Sequence, residues 1–320
     1  MSPPASTGAL DPELAVALSK LSLPATFTRE NLSIIRQMAG ATSTAASLLA
    51  AFPSISHEER TIPGPRGNIV ISILRSSIGQ QQTEPCILFF HAGGMIMGTR
   101  FSGANIPAAW VMEYGLICVL VEYRLAPENL APAAVEDCYA SLEWISRNAA
   151  LLGIDPHRII VGGQSSGGGL AAGTVLLARD RGGPEVLAQM LLCPMLDDRN
   201  LTQSSKEFCN QGPWTLAKNQ LAWECVLGGR QVPNENVSIY TAPGRANDLS
   251  NLPSAYIDVG STEIFRDEDT AYALRLLASA VAVELHVWPG AFHTSDMLIP
   301  EAFISKAAAR ARSDWIRRLV

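Results

Sequence analysis

The segment Val161-Gly162-Gly163-Gln164-Ser165-Ser166-Gly167-Gly168-Gly169 restricts this chain more than any other part of it. Gly163 and Gly167 flank Ser165 at the second position on either side, in the pattern G-x-S-x-G. Before it, Arg158-Ile159-Ile160-Val161 reads as a buried strand, and after it Leu170 to Ala178 reads as a helix of small residues. A strand turning sharply into a helix brings the two backbones almost into contact, so the flanking positions must lack a bulky Cβ substituent. The central residue is then held in a strained conformation, its hydroxyl exposed at the tip of the turn and at the positive end of a helix dipole. A turn of this kind belongs to an α/β layered architecture.

The rest of the chain agrees with that class. Short apolar runs at Asn68–Leu74, Cys86–Phe90, Leu116–Tyr123, 158–162, Leu187–Cys193, Ala255–Val259 and Val283–Val287 read as strands. Helical stretches at Ala133–Arg147, 170–178, about 267–280 and 300–318 alternate with them. Buried strands alternating with helices predict a mostly parallel central sheet covered on both faces. With 48% hydrophobic residues, the chain has material for such a two-sided core. Two helices precede any strand signal. One starts at Asp11-Pro12-Glu13, with an acidic N-cap and proline at the first helical position; the other starts at Thr28, with Leu32, Ile35 and Met38 on one stripe before Gly40. Residues 1–50 are therefore expected to form a helical cap segment on a catalytic domain of residues 51–320. The Trp- and Asn-bearing excursion at about 200–230, with a helix at Leu216–Val226, is expected to contribute to the same cap.

Charge and cysteine usage narrow the function. A net charge of −6 with interspersed signs gives no basic face for nucleic acid. The six cysteines show no C-x-x-C spacing and read as reduced, buried small residues. No run approaches the roughly 18 apolar residues of a membrane span, and Met1 to Leu10 lacks a basic start and an apolar core. A cytoplasmic, soluble protein is expected. Gly167-x-Gly169-x-x-Ala172 nominally fits a dinucleotide fingerprint, but its glycines lie inside the helix and no acid closes the following strand, so no cofactor is expected.

A serine hydroxyl is a weak nucleophile at neutral pH and needs a base to take its proton and an acid to orient that base. In the order nucleophile, acid, base, only His286 and His293 lie beyond Ser165. His286 alternates onto a sheet face and reads as structural. His293 follows the last strand, in Pro289-Gly290-Ala291-Phe292-His293, at the sheet end where sites of open α/β sheets gather, and reads as the base. The stretch Asp258 to Asp269 offers several carboxylates. Asp258 lies inside a strand, Asp267, Glu268 and Asp269 read as the acidic first turn of a helix, and Glu263 falls in the loop. Asp197 and Asp198 read as a cap and a surface pair rather than ligands. A second glycine cluster, His91-Ala92-Gly93-Gly94-Met95, follows the strand at 86–90. Its backbone N–H groups, with that of Ser166, would make an oxyanion hole.

These blocks resemble the hormone-sensitive-lipase-like esterases of the α/β-hydrolase fold, the bacterial family IV lipases and esterases. His91-Ala92-Gly93-Gly94 is similar to the family's HGGG, Tyr123 to Glu128 to its YRLAPE, Gly163 to Gly168 to its GDSAGG, Glu263 to Glu268 to its DPLRDE, and Gly290 to His293 to its GxxH. The resemblance implies Ser165 as nucleophile, His293 as base and Glu263 as acid, with Asp267 a competitor because aspartate is usual at the position of Glu263. It implies Gly93, Gly94 and Ser166 as oxyanion donors. Ala92, Gln164, Ser166 and Thr294-Ser295 depart from the family pattern. The expected reaction is hydrolysis of short acyl esters through an acyl-enzyme, the partner being a small-molecule ester. Lactonase, amidase or acyltransferase chemistry, or a non-catalytic ligand receptor, are the alternatives. Met95, Trp214 and Trp223 are candidates for the pocket walls, and relatives imply a homodimer joined through a sheet edge.

Overall fold

The computed structural model describes residues 9–21, 26–77, 83–229 and 236–320. Eight strands form one sheet: β1 (Ile55–Gly64), β2 (Gly67–Ser76), β3 (Glu84–Phe90), β4 (Ile117–Glu122), β5 (Ile154–Gln164), β6 (Ala188–Leu192), β7 (Ser254–Gly260) and β8 (Val283–Trp288). Their order is β1-β2-β4-β3-β5-β6-β7-β8. Strands β1 and β2 are antiparallel to their neighbours, and β4 through β8 run parallel. Strand β3 is buried along its whole length and so is β6, because helices cover both faces there.

Seven of the strands lie where their apolar runs predict them. Strand β1 does not announce itself. It is an outer strand whose His57-Glu58-Glu59-Arg60 faces are largely solvated, so it carries no apolar alternation. It ends at Pro63 and Gly64, which lead into a hairpin in which Gly64 pairs with Gly67. The helix Asn105–Tyr114 is likewise unforeseen.

The first helix, Pro12–Leu18, starts as expected, with Asp11 accepting the N–H of Glu13 and Leu14 at 2.9 and 3.2 Å. The second begins at Leu32, not Thr28. Thr28 and Asn31 exchange hydrogen bonds, the Thr28 N–H donating to Asn31 Oδ1 at 2.8 Å and the Asn31 N–H to Thr28 Oγ1 at 3.4 Å, and this turn delays the helix. The helix also continues through Gly40 to Thr42. The helix Leu216–Val226 has its predicted bounds.

The elbow follows β5. Ser165 has φ 57° and ψ −121°, outside the conformations that a residue with a side chain ordinarily adopts. A Cβ on Gly163 would stand 2.2 Å from the Gly167 carbonyl oxygen, and one on Gly167 would stand 2.0 Å from the Phe90 carbonyl oxygen. Both contacts are with backbone, so no side chain can swing away. Gly167→Ala is expected to destabilise the fold by about 3 kcal/mol, the upper range for overpacking, read as a lower midpoint in urea unfolding.

Candidate active site

Ser165, Glu263, His293 and the Gly93–Gly94 turn stand beyond the C-terminal ends of β5, β7, β8 and β3. Those four strands run in the same direction, so their following loops collect on one edge of the sheet. His293 Nε2 lies 2.9 Å from Ser165 Oγ, and its Nδ1 is hydrogen-bonded to Glu263 Oε2. The other Glu263 oxygen accepts the Gly260 N–H at 2.7 Å. Ser165, Glu263 and His293 are each no more than 3% exposed. Phe265 meets the imidazole edge-on at 5.0 Å between centroids.

The loops that carry Glu263 and His293 touch because Gly260 has no side chain; a Cβ there would come within 2.2 Å of the Ala291 carbonyl oxygen. That carbonyl also accepts Thr262 N–H at 3.1 Å and Thr262 Oγ1–H at 2.9 Å. Sequence reasoning passed over Gly260, Thr262 and Ala291, since nothing local marks a contact between separate loops.

The remaining carboxylates go elsewhere. Asp267 accepts Arg266 Nε–H at 2.8 Å and Ser204 N–H at 2.7 Å. Glu268 accepts the N–H groups of Leu196 and Asp197 at 2.9 and 3.2 Å. Asp197 pairs with Arg199. Asp198 is no surface residue: it is fully buried against Arg245, at 2.5 and 2.9 Å, because a buried carboxylate requires such a partner. His286 stacks on Trp288 at 5.0 Å and contacts Glu284 at 3.0 Å, a structural role.

Asp269 is fully buried, and neither of its oxygens has a hydrogen-bond partner among the described residues. Burial, then the nearby carboxyls of Glu268 and Glu263, push it well above the ordinary carboxylate range. The folded chain therefore keeps this proton where the unfolded chain releases it, and stability from this group falls as pH rises above about 4. Asp269→Asn has no proton to hold. It is expected to match wild type at pH 3 and to exceed it above pH 4, the gap growing by up to about 1.4 kcal/mol per pH unit in urea unfolding until the folded carboxyl ionises.

Gly93 and Gly94 have φ of 130° and 63°. Their N–H groups donate to no group among the described residues, while the Gly93 carbonyl accepts from Ile96 and Met97 at 3.1 and 3.0 Å. Ser166 opens the helix Ser166–Asp180, where a first-turn N–H has no acceptor within the helix. The loop is braced from behind. Tyr123 donates its hydroxyl to the His91 carbonyl at 2.8 Å and stacks on the His91 ring at 4.1 Å. Arg36 ties the helix Leu32–Thr42 to this region, donating to the Ile96 and Ala126 carbonyls at 2.7 and 2.6 Å and to Glu128 at 2.8 and 2.9 Å.

Ser165 and His293 open onto a cavity of about 440 Å³. Ile35, Met38, Ala39 and Thr42 of the helix Leu32–Thr42 form one wall, Pro213, Trp214 and Lys218 another, and Met97, Met297 and Leu298 line it as well. A Cβ on Gly94 would stand 2.5 Å from the Trp214 ring, so the indole lies directly against the glycine turn. Met95 and Trp223, expected at the walls, are absent from them. Met95 borders a separate small cavity beside Ala126 and Leu170, and Trp223 is fully buried in the core, the inward face of its helix. The Lys218 ammonium lies 4.6 Å from the Phe27 ring centre and donates to the Pro213 carbonyl at 2.8 Å; desolvation lowers its pKa.

Ligand atoms of Cys193, Glu263 and His293 lie within 4.8 Å of one another. Both imidazole nitrogens are committed to Ser165 and Glu263, and burial pushes the Cys193 thiol well up, leaving it a neutral, poor metal ligand. Among the described residues, no helix is long and apolar enough to cross a membrane.

The fold and this site define an α/β hydrolase with a serine at the sharp turn after β5. A family model described as alpha/beta hydrolase fold matches residues 87–297. The carboxylesterase NlhH of Mycobacterium tuberculosis is 33% identical over 316 residues, covering 94% of this chain and 92% of its own. The esterase LipI of the same organism is 35% identical over 236 residues, 73% of each chain. Among solved structures, a bacterial heroin esterase superposes with a TM-score of 0.92 at 40% identity, covering 99% of this chain and all of its own, 100%. The chain belongs to the hormone-sensitive-lipase-like family of α/β hydrolases.

Proposed function

We propose that this carboxylic ester hydrolase cleaves short acyl esters through a covalent acyl-serine, with Ser165 as nucleophile, His293 as base and Glu263 as the acid that orients it. The observation that carries this reading is the relay from Ser165 Oγ to His293 Nε2 at 2.9 Å and from His293 Nδ1 to Glu263 Oε2, opening on the cavity. Ser165 Oγ bonds to the ester carbonyl carbon as its proton passes to Nε2. The N–H groups of Gly93, Gly94 and Ser166 receive the oxyanion, each donor contributing about 2.7–4 kcal/mol. The C–O bond then breaks, and His293 returns the proton to the leaving alcohol. Water repeats the sequence on the acyl group, and Ser165 recovers its proton.

The helix Leu32–Thr42 and the segment around Trp214 and Lys218 act as the cap, since both wall the cavity. A fluorophosphonate tests the reading: wild type should be labelled at Ser165 and hydrolyse p-nitrophenyl butyrate, with Ser165→Ala unlabelled. Folded wild type that takes up no label would sink the catalytic assignment and favour a ligand receptor.

A further inference from the structure

The helix Phe303–Arg317 buries one charged side chain, Arg312, on its inward face. Arg312 is 4% exposed and lies between carboxylates from two different segments. Its Nε and Nη2 donate to Asp258 Oδ2 and Oδ1 at 2.6 and 3.1 Å, and its Nη1 donates to Asp296. Asp258 belongs to β7, the strand that leads into Glu263; Asp296 lies in the short turn Ser295–Leu298 just after His293. Trp288 Nε1–H and the Tyr256 hydroxyl hold Asp258 further, at 3.2 and 3.3 Å. Arg312, Asp258, Asp296 and Glu263 border one space of about 20 Å³, so the guanidinium and the carboxylate that meets His293 line the same small cavity.

A second observation comes from the backbone. Thr294, next to His293, has φ 58°, a left-handed conformation that a β-branched residue keeps only when its surroundings impose it. Thr262 and Ala291 clamp the acid and base loops together on one side; the Arg312 fork joins Asp258 to the turn beyond Thr294 on the other.

We propose that Arg312 is a positioning residue for this active site, holding the strand that delivers Glu263 and the turn that carries His293 in one fixed relation. This rests on the assignment of Ser165, His293 and Glu263 as the triad. Net stability is a poor account of such a buried ion cluster, because well-packed apolar groups usually stabilise as well or better. A planar fork seated on one carboxylate and reaching a second sets direction as well as distance. Direction matters here, since a misplacement of about 1 Å costs on the order of 10²-fold in rate.

The test compares wild type, Asp296→Ala and Arg312→Leu on p-nitrophenyl butyrate, with active sites counted by fluorophosphonate uptake. Asp296→Ala leaves Arg312 paired with Asp258 and, having no acceptor for Nη1–H, cuts its link to the His293 turn. It is expected to lower kcat per labelled site by about tenfold or more, and Arg312→Leu by about 10²-fold, with KM within about twofold because neither residue lines the substrate cavity. A kcat per labelled site in Asp296→Ala within about twofold of wild type overturns the positioning role, whether or not Arg312→Leu folds. Wild type that is neither labelled nor active instead overturns the triad assignment, and this inference with it.

Discussion

Ser165→Ala is expected to lower kcat on p-nitrophenyl butyrate by a factor on the order of 10⁶ while leaving the fold intact. The hydroxyl is the only atom lost, and Ala keeps the Cβ that already tolerates φ 57° at the elbow. The backbone bonds around the turn remain, with Ser165 N–H donating to Leu192 at 2.8 Å and the Ser165 carbonyl accepting from Gly169 and Met195 at 3.0 and 2.9 Å. What survives is the substrate cavity and the N–H groups of Gly93, Gly94 and Ser166, which can still favour attack by water. A residual rate about 10³-fold above the uncatalysed reaction is therefore expected. Steady-state kinetics beside a Tm measurement checks both halves; near wild-type turnover by a folded variant would refute the nucleophile assignment.

Glu263→Gln is expected to cost about 10⁴-fold in kcat with little change in KM. The carboxylate accepts from two sides, the Gly260 N–H on Oε1 and His293 on Oε2. An amide has one acceptor and one donor end. If its oxygen keeps the Gly260 N–H, its NH₂ faces His293 Nδ1, which must then carry the lone pair and leave the proton on Nε2. The imidazole would donate toward Ser165 instead of accepting from it. Asp267→Asn is the control, since Asp267 is committed to Arg266 and Ser204 and never meets His293. Its kcat should stay within about threefold of wild type; the reverse ranking of the two variants would move the acid to Asp267.

Much of this architecture is legible along the chain because its causes are local. A buried strand needs a largely apolar run, and β2 through β7 each contain one, while the outer β8 shows apolar alternation at Val283, Leu285 and Val287. The elbow needs glycine where two backbones meet at Gly163 and Gly167, and a helix start needs an acceptor such as Asp11. Strand β1 escapes because an edge strand is solvated on faces that would otherwise show the pattern. Met95 and Trp223 mislead because an apolar side chain in a loop or helix has the same composition whether it faces a cavity or the core, and only packing distinguishes the two.

The G-x-S-x-G turn at Ser165, the glycine turn after β3 and the histidine beyond the last strand follow from residues and their order. Each is a short-range requirement of backbone sterics or chemistry. Which carboxylate meets His293, that helix Leu32–Thr42 and Trp214 wall one cavity, and that Arg312 reaches both Asp258 and Asp296 are decisions of tertiary structure. They depend on distances between segments far apart in the chain. Glu263, Asp267 and Asp269 are interchangeable as charges in a sequence. The fold separates them by pointing one at an imidazole, one at an arginine and one into a site without a hydrogen-bond partner among the described residues.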